Sequence, residues 1–155
     1  MTAPGPEPPE TTHRQPQYYP PAPRAHEPRR LKVLVAEADT PARIRLVRLL
    51  SGDCQVACAE TVRQAMRVVR HAHFDLLICD LHLPASGGLA LLYYIKLLAP
   101  ETRVALVTDK ADERITSQAI LHGALDCFVR PLSDEIVRLL ISLMRSGLEA
   151  KWELR

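Results

Sequence analysis

Leu31-Lys32-Val33-Leu34-Val35-Ala36-Glu37-Ala38-Asp39 strings apolar residues around a single lysine and then stops on two acids. A short, nearly continuous apolar run of this kind reads as a strand covered on both faces. Directly after it, Ala42, Leu46, Leu49 and Leu50 recur at helical spacing, so a strand feeds a helix through a tight connection. Outward from there the same alternation repeats. Candidate strands fall at about 32–36, 55–59, 76–79, 103–107 and 125–129, each followed by an amphipathic stretch. Repeated strand–helix units predict an α/β fold: a doubly wound five-stranded parallel sheet with helices on both faces and its ligands outside the carboxyl ends of the strands.

The helices carry their own start and stop signals. Pro41 suits a first turn capped by Asp39 or Thr40, and Thr61 with Gln64 reads as a capping box before an inward stripe of Val62, Ala65, Met66 and Val69. A third helix, apolar nearly all round, runs from about Gly88 to a stop before Pro100. A fourth extends from about Asp112 to His122 and is ended by Gly123, a residue suited to a left-handed helix terminus. The fifth opens on Ser133 with Asp134 and Glu135 in its first turn, and Ile136, Leu139, Leu140 and Leu143 are its expected core face. A second stripe on the same helix, Val137, Ile141, Met144, Leu148 and Trp152, reads either as a seam that runs past the domain to a partner or a second copy, a homodimer in that case, with Gly147 its weak point, or as a frayed tail.

The chain of 155 residues suffices for one domain with appendages. Residues 1–30 hold nine of the thirteen prolines and almost no aliphatic side chains, so they are expected to be a disordered, polyproline-like tail, leaving a domain at 31–147 and a short extension at 148–155. A net charge of +2 does not call for nucleic acid. The arginine triplets Arg43, Arg45, Arg48 and Arg63, Arg67, Arg70 read as solvated helix faces. Cys54, Cys58, Cys79 and Cys127 lack metal-ligand spacing and read as buried, reduced thiols. No apolar run is long enough to span a bilayer and no signal peptide is apparent, which places the chain in the cytoplasm and away from membranes.

Function is expected at the strand ends. The first strand ends on Glu37-Ala38-Asp39, the third on Asp80, the fourth on Thr108-Asp109 and the fifth on Arg130-Pro131, so distant segments bring carboxylates, a hydroxyl and a cation to one edge. With Leu77-Ile78-Cys79-Asp80-Leu81-His82-Leu83-Pro84-Ala85-Ser86-Gly87-Gly88 and Gly123-Ala124-Leu125-Asp126-Cys127-Phe128-Val129-Arg130-Pro131, this pattern resembles the receiver domain of bacterial response regulators, over about residues 31–145. The resemblance implies a flavodoxin-like (βα)5 fold and a phosphorelay role, with a histidine kinase or phosphotransfer protein passing a phosphoryl group to Asp80. It further implies magnesium (Mg2+) held by Glu37, Asp80 and the backbone carbonyl of His82, Thr108 as the switch hydroxyl, and a cis bond before Pro131. In such chemistry charge neutralisation and positioning supply most of the catalysis. A downstream protein would then read the surface of helix four, strand five and helix five, including Arg114, Gln118, Cys127, Arg138 and Arg145.

Several positions depart from the family pattern. Ala38 removes the second acid, which weakens the metal site. Arg130 replaces lysine, exchanging a compact ammonium for a planar fork that suits a carboxylate clamp on Asp80. Asp109 follows the switch threonine where a small residue is usual and either repels a phosphoryl group or pairs with Arg130, and Cys127 replaces an aromatic residue. The expected function is therefore a single-domain, atypical response regulator acting through protein–protein contact. The alternatives are a phosphorylation-independent pseudo-receiver serving as a scaffold, or the N-terminal receiver of a longer regulator or hybrid kinase. No glycine-rich dinucleotide fingerprint and no nucleophile elbow is present, so a signalling domain is expected rather than an enzyme. His71 and His73, two apart, are poorly placed to share a metal, and Tyr93 and Tyr94 read as packing residues.

Overall fold

The structure, a computed structural model, describes residues 29–146. Five strands, β1 (Leu31–Ala36), β2 (Cys54–Ala59), β3 (Leu76–Asp80), β4 (Arg103–Thr108) and β5 (Asp126–Val129), alternate with α1 (Thr40–Leu50), α2 (Val62–His71), α3 (Gly88–Leu98), α4 (Glu113–Leu121) and α5 (Asp134–Ser146). All strand pairs are parallel, in the order β2-β1-β3-β4-β5. The order reverses between β1 and β3, and there the crossover loops part to leave a crevice at the carboxyl ends.

Strand side chains alternate between two cores. Leu34, Ala36, Leu77, Cys79 and Leu106 face α2, α3 and α4, where Ala65, Leu91, Leu92, Ile95 and Ala119 meet them. Val33, Val35, Leu76, Ile78, Ala105 and Val107 face α1 and α5, against Leu46, Leu50, Val137, Leu140 and Ile141. Burial on both faces explains why β1, β3 and β4 read as unbroken apolar runs. The helix starts follow the sequence signals. Asp39 Oδ2 accepts from the Ala42 N–H at 3.0 Å and Thr61 Oγ1 from the Gln64 N–H at 3.1 Å, while Gln64 Oε1 reaches back to the Glu60 N–H.

Four expectations need correction. On α5, Val137 and Ile141 are buried in the core, whereas Leu139 is 48% exposed. The helix is turned so that the expected partner seam faces inward, and the basis for a homodimer along it disappears; Leu148 and Trp152 lie outside the described residues. Only Cys54 and Cys79 are buried, because β2 is an edge strand that leaves Cys58 exposed, and Cys127 on the other edge strand is half-buried. Arg29 and Arg30, assigned to the tail by composition, are bonded to the domain: Arg29 pairs with Asp75 at 2.6 Å and Arg30 donates to the carbonyls of Ser51 and Gly52. The rest of the proline-rich segment lies outside the described residues. Finally, Arg43, paired with Glu60, is tied into the fold rather than part of a solvated face; Arg45, paired with Asp134, and Arg48 stay exposed. Among the described residues, no helix is long and apolar enough to cross a membrane.

Gly88, the first residue of α3, lies against the loop that leaves β3. A Cβ there would sit 2.5 Å from the Asp80 carbonyl oxygen and 2.9 Å from Leu81 Cα, both backbone atoms. Gly88→Ala is therefore expected to destabilise the fold by about 1–3 kcal/mol, as overpacking does. A urea titration checks this; an unchanged midpoint would show that the loop yields freely.

Candidate functional site at the carboxyl edge of the sheet

Backbone bonds carry the ladder past each strand end and so fix where the polar residues emerge. The Glu37 N–H donates to the Ala59 carbonyl (2.9 Å), Leu81 N–H to Val107 (2.8 Å) and Arg130 N–H to Thr108 (2.8 Å). The Arg130–Pro131 peptide bond is cis. Arg43 on α1 donates to the Glu37 and Ala38 carbonyls at 2.9 and 3.3 Å, which holds the first loop against the rim.

Arg130 lies at the centre. Its Nη1 donates to Glu37 Oε2 at 2.8 Å and its Nη2 donates to the same oxygen. That Nη2 also lies 3.1 Å from Asp80 Oδ1, and Nε lies 3.1 Å from Asp109 Oδ1. One guanidinium thus meets carboxylates from three loops. The planar fork does this with donors on three separate nitrogens held in fixed directions, whereas an ammonium would have to gather all three carboxylates around one nitrogen.

Glu37 is only 2% exposed. Burial pushes its carboxyl above the usual glutamate range; the Asp39 N–H (3.0 Å) and Arg130 pull it back down, and the charges of Asp80 and Asp39 push it up again. Asp80 is held by the His82 N–H, which donates to Oδ1 at 2.9 Å. Its side chain is 14% exposed, and among the described residues its other oxygen accepts no hydrogen bond. Thr108, 3% exposed, turns its hydroxyl into its own loop, donating to the Lys110 carbonyl at 3.2 Å.

Glu37, Asp80, Asp109 and Arg130 therefore come together, while the Thr108 hydroxyl is engaged elsewhere. The strongest contact of Arg130 is with Glu37, a partner that sequence reading passed over in favour of Asp80. Of the expected readout residues, Arg114 and Gln118 are exposed on α4. Arg145 instead reaches Asp53, just before β2, and shares a groove with Arg138, so these two face the opposite side from α4. His73 is occupied by Asp75 and Glu101, and Tyr93 packs on His122 with ring centroids 4.6 Å apart.

A family model, the response regulator receiver domain, matches residues 33–142. The chain belongs to the response regulator receiver family. Among curated relatives of this receiver, the transcriptional regulatory protein ZraR of Escherichia coli K12 is 35% identical over 103 residues, 66% of this chain and 23% of that protein. The response regulator protein PilR of Pseudomonas aeruginosa is 30% identical over 105 residues, with similar coverage. The chain thus spans about a quarter of the length of these relatives. Among solved structures, a two-component response regulator from Clostridium difficile superposes with a TM-score of 0.72 at 17% identity, covering 77% of this chain and 99% of that one. A Burkholderia pseudomallei response regulator with a phosphorylated aspartic acid, a calcium ion and citrate gives 0.67 at 24% identity, covering 80% and 74%. Both likenesses concern the fold.

Receiver domains take magnesium for phosphorylation, so the fit of this rim to a divalent ion matters. Among the described residues, no group of three His, Cys, Asp or Glu side chains is arranged to hold a metal. Glu37 has both oxygens engaged, Asp80 shares Arg130 with it, and Ala38 supplies no oxygen. As arranged, the residues do not fit the ion. The guanidinium already supplies positive charge to these carboxylates, and a cation would have to displace it.

Proposed function

We propose that this receiver domain signals by binding protein partners and is held in one conformation by Arg130, independently of phosphorylation at Asp80. The observation that carries this reading is the single guanidinium in contact with Glu37, Asp80 and Asp109. Phosphoryl transfer to Asp80 would have to break that contact and add charge beside Glu37 and Asp109 with one fewer carboxylate to recruit a metal. The surface offered to a downstream partner includes Arg114 and Gln118 on α4 and Cys127 on β5.

A second reading, in which Asp80 accepts phosphate from a histidine kinase or phosphotransfer protein, is favoured by the second oxygen of Asp80, which accepts no hydrogen bond among the described residues, and by its partial exposure. Incubation of the full chain with acetyl phosphate and magnesium, followed by intact-mass measurement, separates the two. The proposal expects an unchanged mass. A gain of one phosphoryl mass that Asp80→Asn abolishes would overturn it and establish the second reading.

A further inference from the structure

We infer that the groove between α2 and the loop from β3 to α3 docks an acidic amphipathic helix from a partner protein. This inference does not depend on whether Asp80 is phosphorylated. The groove, about 380 Å³, has one wall of Arg63, Arg67 and Arg70 and continues past Ser86 to Tyr94. All three arginines are exposed and none has an ion-pair partner among the described residues, whereas Arg43, Arg45, Arg130 and Arg145 each pair with a carboxylate. Three cations without an ion pair thus lie on one helix face, where they line a concave surface.

The spacing fits a particular shape of ligand. Positions 63, 67 and 70 follow successive turns and span about 10 Å at the helical rise, the interval at which a partner helix presents carboxylates on one edge. Beside this charged wall lies an apolar one. Met66 and Val62 line the groove floor, and Tyr94 is 43% exposed, with Leu98, one turn further along α3, 50% exposed. An acidic edge beside an apolar face is the complement of these walls, and exposed arginine and tyrosine are the side chains that anchor protein interfaces. A nucleic-acid backbone has no use for the apolar wall, and the chain's net charge of +2 adds little general attraction for one.

The test uses the full chain, isotope-labelled, and an alanine-based peptide of about 18 residues, long enough to be helical. The peptide carries glutamates on three successive turns and leucines on the adjoining face. Expected are amide shifts confined to α2, the loop around Ser86 and the Tyr94–Leu98 turn of α3. Affinity should fall about tenfold, or 1.4 kcal/mol, when the glutamates become glutamines or when the protein carries Arg67→Glu. A peptide with lysine opposite position 67 should recover binding to Arg67→Glu. The inference is overturned by shifts that are absent or scattered, by equal affinity for the glutamine peptide, or by a DNA duplex that perturbs the same residues more strongly than the peptide. Arg67 is exposed, so an unchanged spectrum elsewhere verifies that the variant folds.

Discussion

Replacing Arg130 with methionine is expected to cost about 3 kcal/mol of folding stability at neutral pH, because it leaves a buried carboxylate without its partner. The loss should shrink with acidification, and the sign follows from Glu37. Its carboxyl titrates above the ordinary range in the folded chain, burial being the main cause. Below about pH 4, the ordinary glutamate value, folded and unfolded states both bind the proton and burial carries no ionic penalty. As pH rises from there, the unfolded chain releases the proton first, so stability falls until the folded pKa is passed and is flat above it. Without the guanidinium the folded pKa moves higher still, so the variant's deficit opens between the two limits and is complete at neutrality. Urea unfolding at about pH 4 and pH 7.5 measures it. Glu37→Gln introduced alongside should restore most of the stability at pH 7.5, because the orphaned charge is then gone. A deficit of equal size at both pH values would mean that Arg130 acts through packing and not through charge.

The second large effect lies in α5. Leu140→Ala should cost about 3 kcal/mol, since its side chain is 1% exposed and sits in the core shared by β1, β3, β4 and α1. Leu139→Ala, one residue earlier and 48% exposed, should cost less than about 1 kcal/mol. Denaturant midpoints of the two variants decide which face of the helix is inside; similar losses would contradict the packing described.

That pair also shows where the sequence stops being informative. From Ile136 to Met144 two apolar stripes interleave one residue apart, and helical period alone does not say that the sheet accepts Leu140 together with Val137 and Ile141 and leaves Leu139 outside. The choice depends on what α1 and β1 present opposite, a matter of tertiary packing. The strands were legible as short apolar runs buried on both faces, and the first four helices by their apolar spacing with a cap, proline or glycine near their limits, as with Thr61 and Gly123. At the rim, the residues were legible by type and place in the chain, and their partners were not. Glu37 and Arg130 belong to strands that are not neighbours, with β3 and β4 between them. Nothing in linear spacing ranks Glu37 above Asp80 as the arginine's main contact; burial of Glu37 does. The unpaired state of Arg63, Arg67 and Arg70 was likewise hidden, because two similar triplets differ only in whether an acid from another element lies near.

The contact between Glu37 and Arg130 joins residues 93 positions apart. A ribosome releases the glutamate long before the arginine, and closure over so wide an interval waits until nearly every intervening strand has docked. A nascent or truncated chain lacking its last strand–helix unit would therefore carry Glu37 without its guanidinium partner, and would gain that partner only when the last unit docks.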